Sequence, residues 1–399
     1  MDTKNQKNWT ILFYLNGNNE LAPEMAESKK RIDEKGSDKI VNVLVQYGSA
    51  EKRIVEIIRP QSNFSEYAGE SAGVCRYHAA ADGPSTPEYL GNINMADPKR
   101  LYDFIRWGME NYPAKHYILV LGGHVFQYVG LMPDYCQDKP FLMGYPEMVN
   151  SLSLVHKDLG RKIDLLVLDT CYANRIEMLY ELGKEKEPPV ERLITYISGG
   201  PIAGLHYGNL LSIVMEYSKS FPNKMACKVV SNLNYDLIAY EINHIKLDVI
   251  KKNYSDLALC YMNNRPDTPF SPLQLLKCFD HGLPWHPILE NLTAIMPSLT
   301  LCYNNPSNQP FGHFYVSAQN IPDPYRISLY NRLSFARNNG WTKLLCNTPG
   351  NSCNSGTDPY ILQPSELYAL VSVMNPGLNS DENCRIVQNL ISYKGWTWQ

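Results

Sequence analysis

Five short runs of almost unbroken apolar residues punctuate the first half of the chain: WTILFYL (9–15), VNVLVQY (41–47), YILVLGG (117–123), LLVLD (165–169) and LITYI (193–197). A strand with one wet face alternates polar and apolar residues. These runs do not alternate, so each is expected to be covered on both faces, as in the interior of a mainly parallel sheet. A parallel pair needs a crossover connection, usually a helix. The clearest such helix is DPKRLYDFIRWGMENY (97–112), with Asp97 at the N-cap, Pro98 at the first helical position, and Leu101, Phe104, Ile105 and Met109 on one face. The alternation predicts an α/β fold: a mostly parallel sheet flanked by helices on both faces.

The rest of the chain is less regular. Helical patterning dominates 220–265, a strand is expected at HFYVSAQ (313–319) behind the turn-rich NNPSNQP, and CNTPGNSCNSGTDP (346–359) reads as a linker. The 399 residues are thus expected to divide into a sheet domain (1–220), a helical segment with a returning strand that completes it as an α+β extension (221–345), and a linker with a C-terminal tail (346–399). A net charge of −3 gives no reason to expect nucleic acid or an anionic membrane as partner. The polar start MDTKNQKN lacks the apolar core of a signal peptide, and no stretch approaches the length of a membrane span. Ten scattered cysteines without a CxxC pair read as reduced thiols, which points to the cytoplasm. The sequence leaves the oligomeric state open.

Ligands of open α/β sheets bind beyond the carboxyl ends of the strands. Those ends carry Asn16, Gly17 and Asn18; Gly122, Gly123 and His124; Asp169, Thr170 and Cys171; and Ser198, Gly199 and Gly200. Free cysteine is most often inert core filler. Here, however, one histidine and one cysteine each stand just past a buried strand, and only His124 and Cys171 are so placed. A cysteine nucleophile needs a fraction of thiolate and an acid–base group for the leaving amine. Cys171 is expected at the N-terminus of a helix over 172–183, whose dipole favours a thiolate. His124 can protonate the amine. The backbone N–H groups of Cys171 and Val125 are the candidate donors for an oxyanion hole.

Several segments, in order over roughly residues 9–345, resemble the clostripain family of cysteine peptidases, which shares the caspase–haemoglobinase fold. They are WTILFYLNGNNEL, VNVLVQYGS, NMADPKRLYDFIRWGMENYPAKHY, LVLGGHVFQYVG, DTCYANRIEMLYEL, FYVSAQNIP and NNGWTKLL. The resemblance implies a bacterial endopeptidase with His124 as general acid–base and Cys171 as nucleophile, acting on a protein or peptide substrate. It implies cleavage after Arg or Lys, with Asp169 in the specificity pocket and Asn16, Ser198 and Gly199 beside it. It also implies processing between the catalytic residues, where Lys139 in GLMPDYCQDKPFLMGYP (130–146), expected as a polar surface loop, is the basic residue. Some relatives need calcium, although no EF-hand-type loop occurs here.

The chain departs from the family pattern twice. Val125 stands where the family has glycine, and a β-branched residue tolerates positive φ poorly. Ala203 falls about where a second pocket acid is expected, and a buried cationic side chain with fewer carboxylates bears an uncompensated desolvation cost. These departures define the rival reading, a non-catalytic peptide-binding relative. Elsewhere, CFDHGLPWH (278–286) offers Cys278, His281 and His286 but no fourth ligand at zinc spacing, and reads as an ordinary loop with no metal. His206 either lines the cleft or bridges loop backbone. No phosphate-binding glycine motif follows a strand, so no nucleotide cofactor is expected.

Overall fold

The computed structural model describes residues 6–64, 67, 72–81, 83–308, 313–319, 321, 324–346 and 359–398. Its strands are β1 (Lys7–Gly17), β2 (Val41–Ser49), β3 (Gly73–Ala80), β4 (Gly83–Pro84), β5 (Glu88–Gly91), β6 (Ala114–Gly122), β7 (Val125–Phe126), β8 (Gly130–Asp134), β9 (Phe141–Gly144), β10 (Leu165–Asp169), β11 (Arg192–Tyr196), β12 (Leu237–Glu241), β13 (Thr300–Asn304) and β14 (Tyr360–Ile361). The main sheet runs β13-β12-β11-β10-β6-β1-β2-β3-β4, with β5 also on β3. Its middle five strands, β11 to β2, are parallel, and β12, β13 and β3 are antiparallel additions at either side. The expected mostly parallel sheet is present.

Both faces of those central strands are buried. Leu12, Tyr14, Leu44, Leu119, Leu121, Leu166 and Leu168 point to one side, and Trp9, Phe13, Val43, Val45, Ile118, Val120 and Val167 to the other. The first face packs on α3 (Pro98–Asn111), α4 (Tyr145–Leu159), α5 (Ile176–Gly183) and α8 (His244–Asn263). The second packs on α1 (Ala22–Lys35), α6 (Tyr207–Glu216) and α7 (Pro222–Asn232). Each fully buried aliphatic side chain contributes about 1.5–3 kcal/mol, and this two-sided burial is why the runs do not alternate. As expected, Asp97 caps α3, its side chain accepting from the Lys99 N–H at 2.9 Å.

Four expectations are corrected. The region 220–265 is not continuously helical: α7 ends before Asn234, which takes a left-handed φ of 57°, and β12 follows, inserted between β11 and β13. HFYVSAQ forms only an isolated bridge, Tyr315 to Arg175. The supposed loop 130–146 is mostly β8 and β9, part of a second sheet ordered β14-β9-β8-β7. Finally, Cys227 on α7 and Cys302 on β13 form a disulfide, so the reading of ten reduced thiols fails at that pair.

The tail packs onto the body through β14, α13 (Pro364–Met374) and α14 (Ser380–Lys394). Most of the expected linker, residues 347–358, lies outside the described residues. Among those described, no helix is long and apolar enough to cross a membrane.

Candidate active site

The sheet register brings the two candidate catalytic residues together. β6 and β10 are parallel neighbours, with Gly122 paired to Asp169. His124 and Cys171 each stand two residues beyond that pair, and both line one cavity of about 480 Å³. Gly199, from the loop after β11, lines it too, as does Val125. Ser198 lines an adjoining cavity of about 500 Å³ instead.

Cys171 does not sit at a helix N-terminus. The helix begins at Ile176, and residues 171–175 form a tight connection in which Tyr172 takes a left-handed φ of 55°. Such a conformation is uncommon for a non-glycine residue and is held only by its surroundings. Here the Tyr172 N–H donates to the Ser198 carbonyl at 2.8 Å. The Gly200 N–H donates to Cys171 Sγ at 3.4 Å, and the Gly200 carbonyl lies 3.6 Å from the same sulfur. Burial pushes the Cys171 thiol above its ordinary value, the Gly200 N–H pulls it down and the Asp169 carboxylate pushes it up. The balance favours the neutral thiol, and the expected support from a helix N-terminus is corrected, because the helix begins five residues later.

His124 has a partner that the sequence reading missed. Its Nε2 lies 3.0 Å from Glu20 Oε1, at ion-pair distance though not aligned as a hydrogen bond. The Glu20 side chain is 1% exposed, and no hydrogen bond reaches either of its oxygens. A carboxylate buried to this degree is costly without a cationic or donor partner, and His124 is its only ion-pair partner among the described residues. With Nε2 turned to Glu20, Nδ1 is the ring nitrogen left for chemistry. The sequence shows only that Glu20 follows the first strand by three residues; the pairing of β1 with β6, which sets it beside His124, needs the fold.

Asp169 is buried at the floor of the cavity, which it lines. Its carboxylate accepts from Tyr207 Oη at 2.6 Å, Tyr196 Oη at 2.7 Å and the Leu205 N–H at 3.0 Å. Burial raises its pKa and these donors lower it. Asn16 is also fully buried; its Nδ2 donates to the Pro133 carbonyl and its Oδ1 accepts from the Asn18 N–H, so it braces β1 against β8 and lines neither cavity. Val125 lies in strand β7 opposite Leu131 and has no positive φ, so the difficulty of a β-branched residue in a glycine turn does not arise. His206 caps α6, its Nδ1 accepting from the Asn209 N–H at 3.2 Å. Lys139 is half-buried, and its Nζ donates to the Thr397 carbonyl.

One wall of the cavity comes from the tail, whose role the sequence did not reveal. Ala369, Leu370, Val373 and Met374 of α13 face the same space as His124 and Cys171. With Leu21, Met25 and Ile202 they make it largely apolar. Its charged groups are His124, Arg175 and the already occupied Asp169. Among the described residues, the one grouping of metal-ligating side chains is His281, His286 and Glu290. Two imidazoles do not suit calcium, which takes oxygen ligands.

A model of the clostripain family matches residues 16–257, more than half of the chain. No protein of curated function matches. A secreted C11 cysteine protease from Bacteroides thetaiotaomicron, solved with an irreversible peptide inhibitor, aligns at 14% identity over 74% of this chain and 84% of its own, with a TM-score of 0.53. An inactive zymogen C11 protease from Parabacteroides distasonis aligns at 13% identity over 84% of this chain and 99% of its own, with a TM-score of 0.57. At such identities the structural likeness establishes the shared fold and no more.

Proposed function

The chain belongs to the clostripain family of cysteine peptidases, and from that membership we propose that it is an endopeptidase working through a Cys171–His124 dyad. His124 Nδ1 takes the Cys171 thiol proton as Sγ attacks the scissile carbonyl carbon, and the carbonyl π pair moves to oxygen, toward the N–H groups of Cys171 and Val125. As the tetrahedral intermediate collapses, His124 Nδ1 gives a proton to the leaving amine, and a thioester remains on Cys171. Water then adds to the thioester carbon with its proton passing to His124, and as the C–S bond breaks His124 returns that proton to the departing sulfur, which frees the acid product and restores the thiol. Glu20 holds the opposite ring nitrogen throughout. The observation that carries this reading is the shared register: both residues lie two positions beyond the Gly122–Asp169 pair and line one cavity.

The test is labelling with peptidyl acyloxymethyl ketones that vary in the side chain at the cleavage position. A covalent adduct on Cys171 that disappears in His124→Ala is the expected result. Absence of labelling and of peptide hydrolysis across a positional library overturns the reading. The same library tests the narrower expectation of cleavage after Arg or Lys. Asp169 at the floor of the cavity supports that preference, and its three existing donors weigh against it.

Activation by nicking between the catalytic residues is also part of the proposal. Lys139 supports it as the only basic residue in the 130–146 segment. Incubated wild-type protein is expected to yield two fragments on a denaturing gel and Lys139→Ala one. An intact single chain with full activity overturns this step.

A further inference from the structure

We propose that His281, His286 and Glu290 form a binding site for a divalent transition metal of the zinc class, separate from the catalytic cavity. His286 opens helix α10 (His286–Ile295), and Glu290 lies one turn further on the same face. His281 reaches the site from the turn before the helix, where the Asp280 carboxylate accepts from the Gly282 N–H at 3.0 Å. The candidate ligand atoms of all three residues lie within 4.8 Å of one another. None of the three lines the cavity that contains Cys171.

His286 makes the cluster more than a surface coincidence. It is 4% exposed, and neither of its ring nitrogens has a hydrogen-bond partner. A buried polar atom left unsatisfied is uncommon and costly. Nε2 lies 3.1 Å from Glu290 Oε1 without hydrogen-bond alignment. The His281 ring sits against the His286 ring, centroids 4.2 Å apart at 71°. Two imidazoles and a carboxylate brought this close can share one electron-pair acceptor between them. Tetrahedral zinc with bonds of about 2.0–2.1 Å spaces its ligands roughly 3.3 Å apart, close to the Nε2–Oε1 separation seen here.

The donor set identifies the class of ion. Imidazole suits zinc, cobalt, nickel and copper, whereas calcium and magnesium prefer oxygen alone. Two neutral imidazoles and one carboxylate leave the ion with net positive charge. The exposure of His281 and Glu290 leaves its remaining position to water. From the sequence this segment reads as an ordinary loop, because Cys278, His281 and His286 have no fourth ligand at zinc spacing. The structure exchanges Cys278 for Glu290 from the helix, so the protein offers three ligands and the fourth position is left to water. A bound ion would tie the connection after α9 (Pro272–Leu275) to α10, beside Trp285, which is buried against Tyr261 and Phe270.

The test uses the full chain, stripped with chelator and titrated with Co²⁺ and then Zn²⁺. The expected result is one Co²⁺ per chain with a visible d–d band, no thiolate-to-cobalt charge-transfer band, and displacement by Zn²⁺. The signal persists in Cys171→Ser. Altering an outer-shell partner of a metal typically costs about ten- to a hundred-fold in affinity, so His281→Ala and Glu290→Gln are each expected to weaken binding at least that much. Both side chains are exposed, so their loss does not empty the core, and circular dichroism confirms the fold. Zn²⁺ is further expected to raise the unfolding midpoint of the wild type but not of the double variant. Three results overturn the proposal: no binding by the wild type, a charge-transfer band that vanishes in Cys171→Ser, or affinities unchanged in His281→Ala and Glu290→Gln.

Discussion

Glu20 is expected to act through His124 rather than on substrate, and leaving-group chemistry separates that role from a purely structural one. Proton delivery matters for a poor leaving group such as an amine and hardly at all for an activated phenolate. We therefore expect Glu20→Ala to lower kcat for amide substrates by about ten- to a hundred-fold, with a smaller change in KM. Hydrolysis of the matching p-nitrophenyl ester should fall much less, and Glu20→Gln should recover part of the amidase loss. Equal damage to amide and ester would make Glu20 merely structural. The sulfur gives a second prediction at this scale. Burial, reinforced by Asp169, raises the Cys171 pKa, so alkylation of free enzyme by iodoacetamide should reach its half-maximal rate at higher pH than an unstructured cysteine peptide does. A lower midpoint would contradict the electrostatics described here.

The candidate site was legible in the sequence where one strand end was enough to identify a residue. His124, Asp169 and Cys171 were found that way. What escaped needed partners from distant elements. The Tyr196 and Tyr207 hydroxyls that occupy Asp169 come from β11 and α6, and no local pattern couples them. Asn16 was chosen by the same strand-end rule, yet its amide is consumed by the backbone of β8.

Among the elements, the central strands were readable because burial on both faces leaves a continuous apolar run. β12 was not, because five residues between two helices look like a continuation of either. The short β7, β8 and β9 were hidden by the polar and proline residues at their junctions. α13 bears most on function. Leu370 packs in the core and also faces the catalytic cavity. An unpaired charge there should weaken docking of the helix, and each 1.4 kcal/mol lost opens the cavity about tenfold more often. Leu370→Glu is thus expected to speed labelling of Cys171 by a bulky peptidyl probe, with the iodoacetamide rate little changed. Unaltered labelling by both reagents would mean that α13 does not restrict access.

The same helix carries a titrating group. Burial pushes the Glu366 carboxyl up to about 7, against the backbone hydrogen bond from Gln363 and the charge of Arg326. A raised carboxyl pKa favours the docked helix most below the ordinary value of 4.5 and loses that contribution as pH rises through about 7. Hydrogen exchange of α13, corrected for the intrinsic rise of amide exchange with pH, should report a growing open fraction across that window in the wild type and an unchanged one in Glu366→Gln.

For the whole molecule, the Cys227–Cys302 disulfide joins α7 to the outermost strand of the sheet, closing a separation of 75 residues. Removing such a crosslink typically costs about 2–4 kcal/mol, so Cys302→Ser should lower the denaturant midpoint accordingly, while peptide mapping finds the bridge in the wild type. Its presence also removes the cysteine-based support for a cytoplasmic location.

The last described residues do more than trail from α14. Lys394 Nζ donates to the Cys136 carbonyl at 3.1 Å, and Trp396 Nε1 donates to the Gln137 carbonyl at 3.1 Å. Thr397 receives Lys139, and Trp398 Nε1 donates to the Leu362 carbonyl at 3.0 Å, just ahead of α13. Four residues therefore act as a buckle between a strap, the segment that bears Lys139, and a shutter, the helix that walls the cavity of Cys171. Cutting the strap is therefore expected to loosen the shutter, and displacing the shutter to bare the strap.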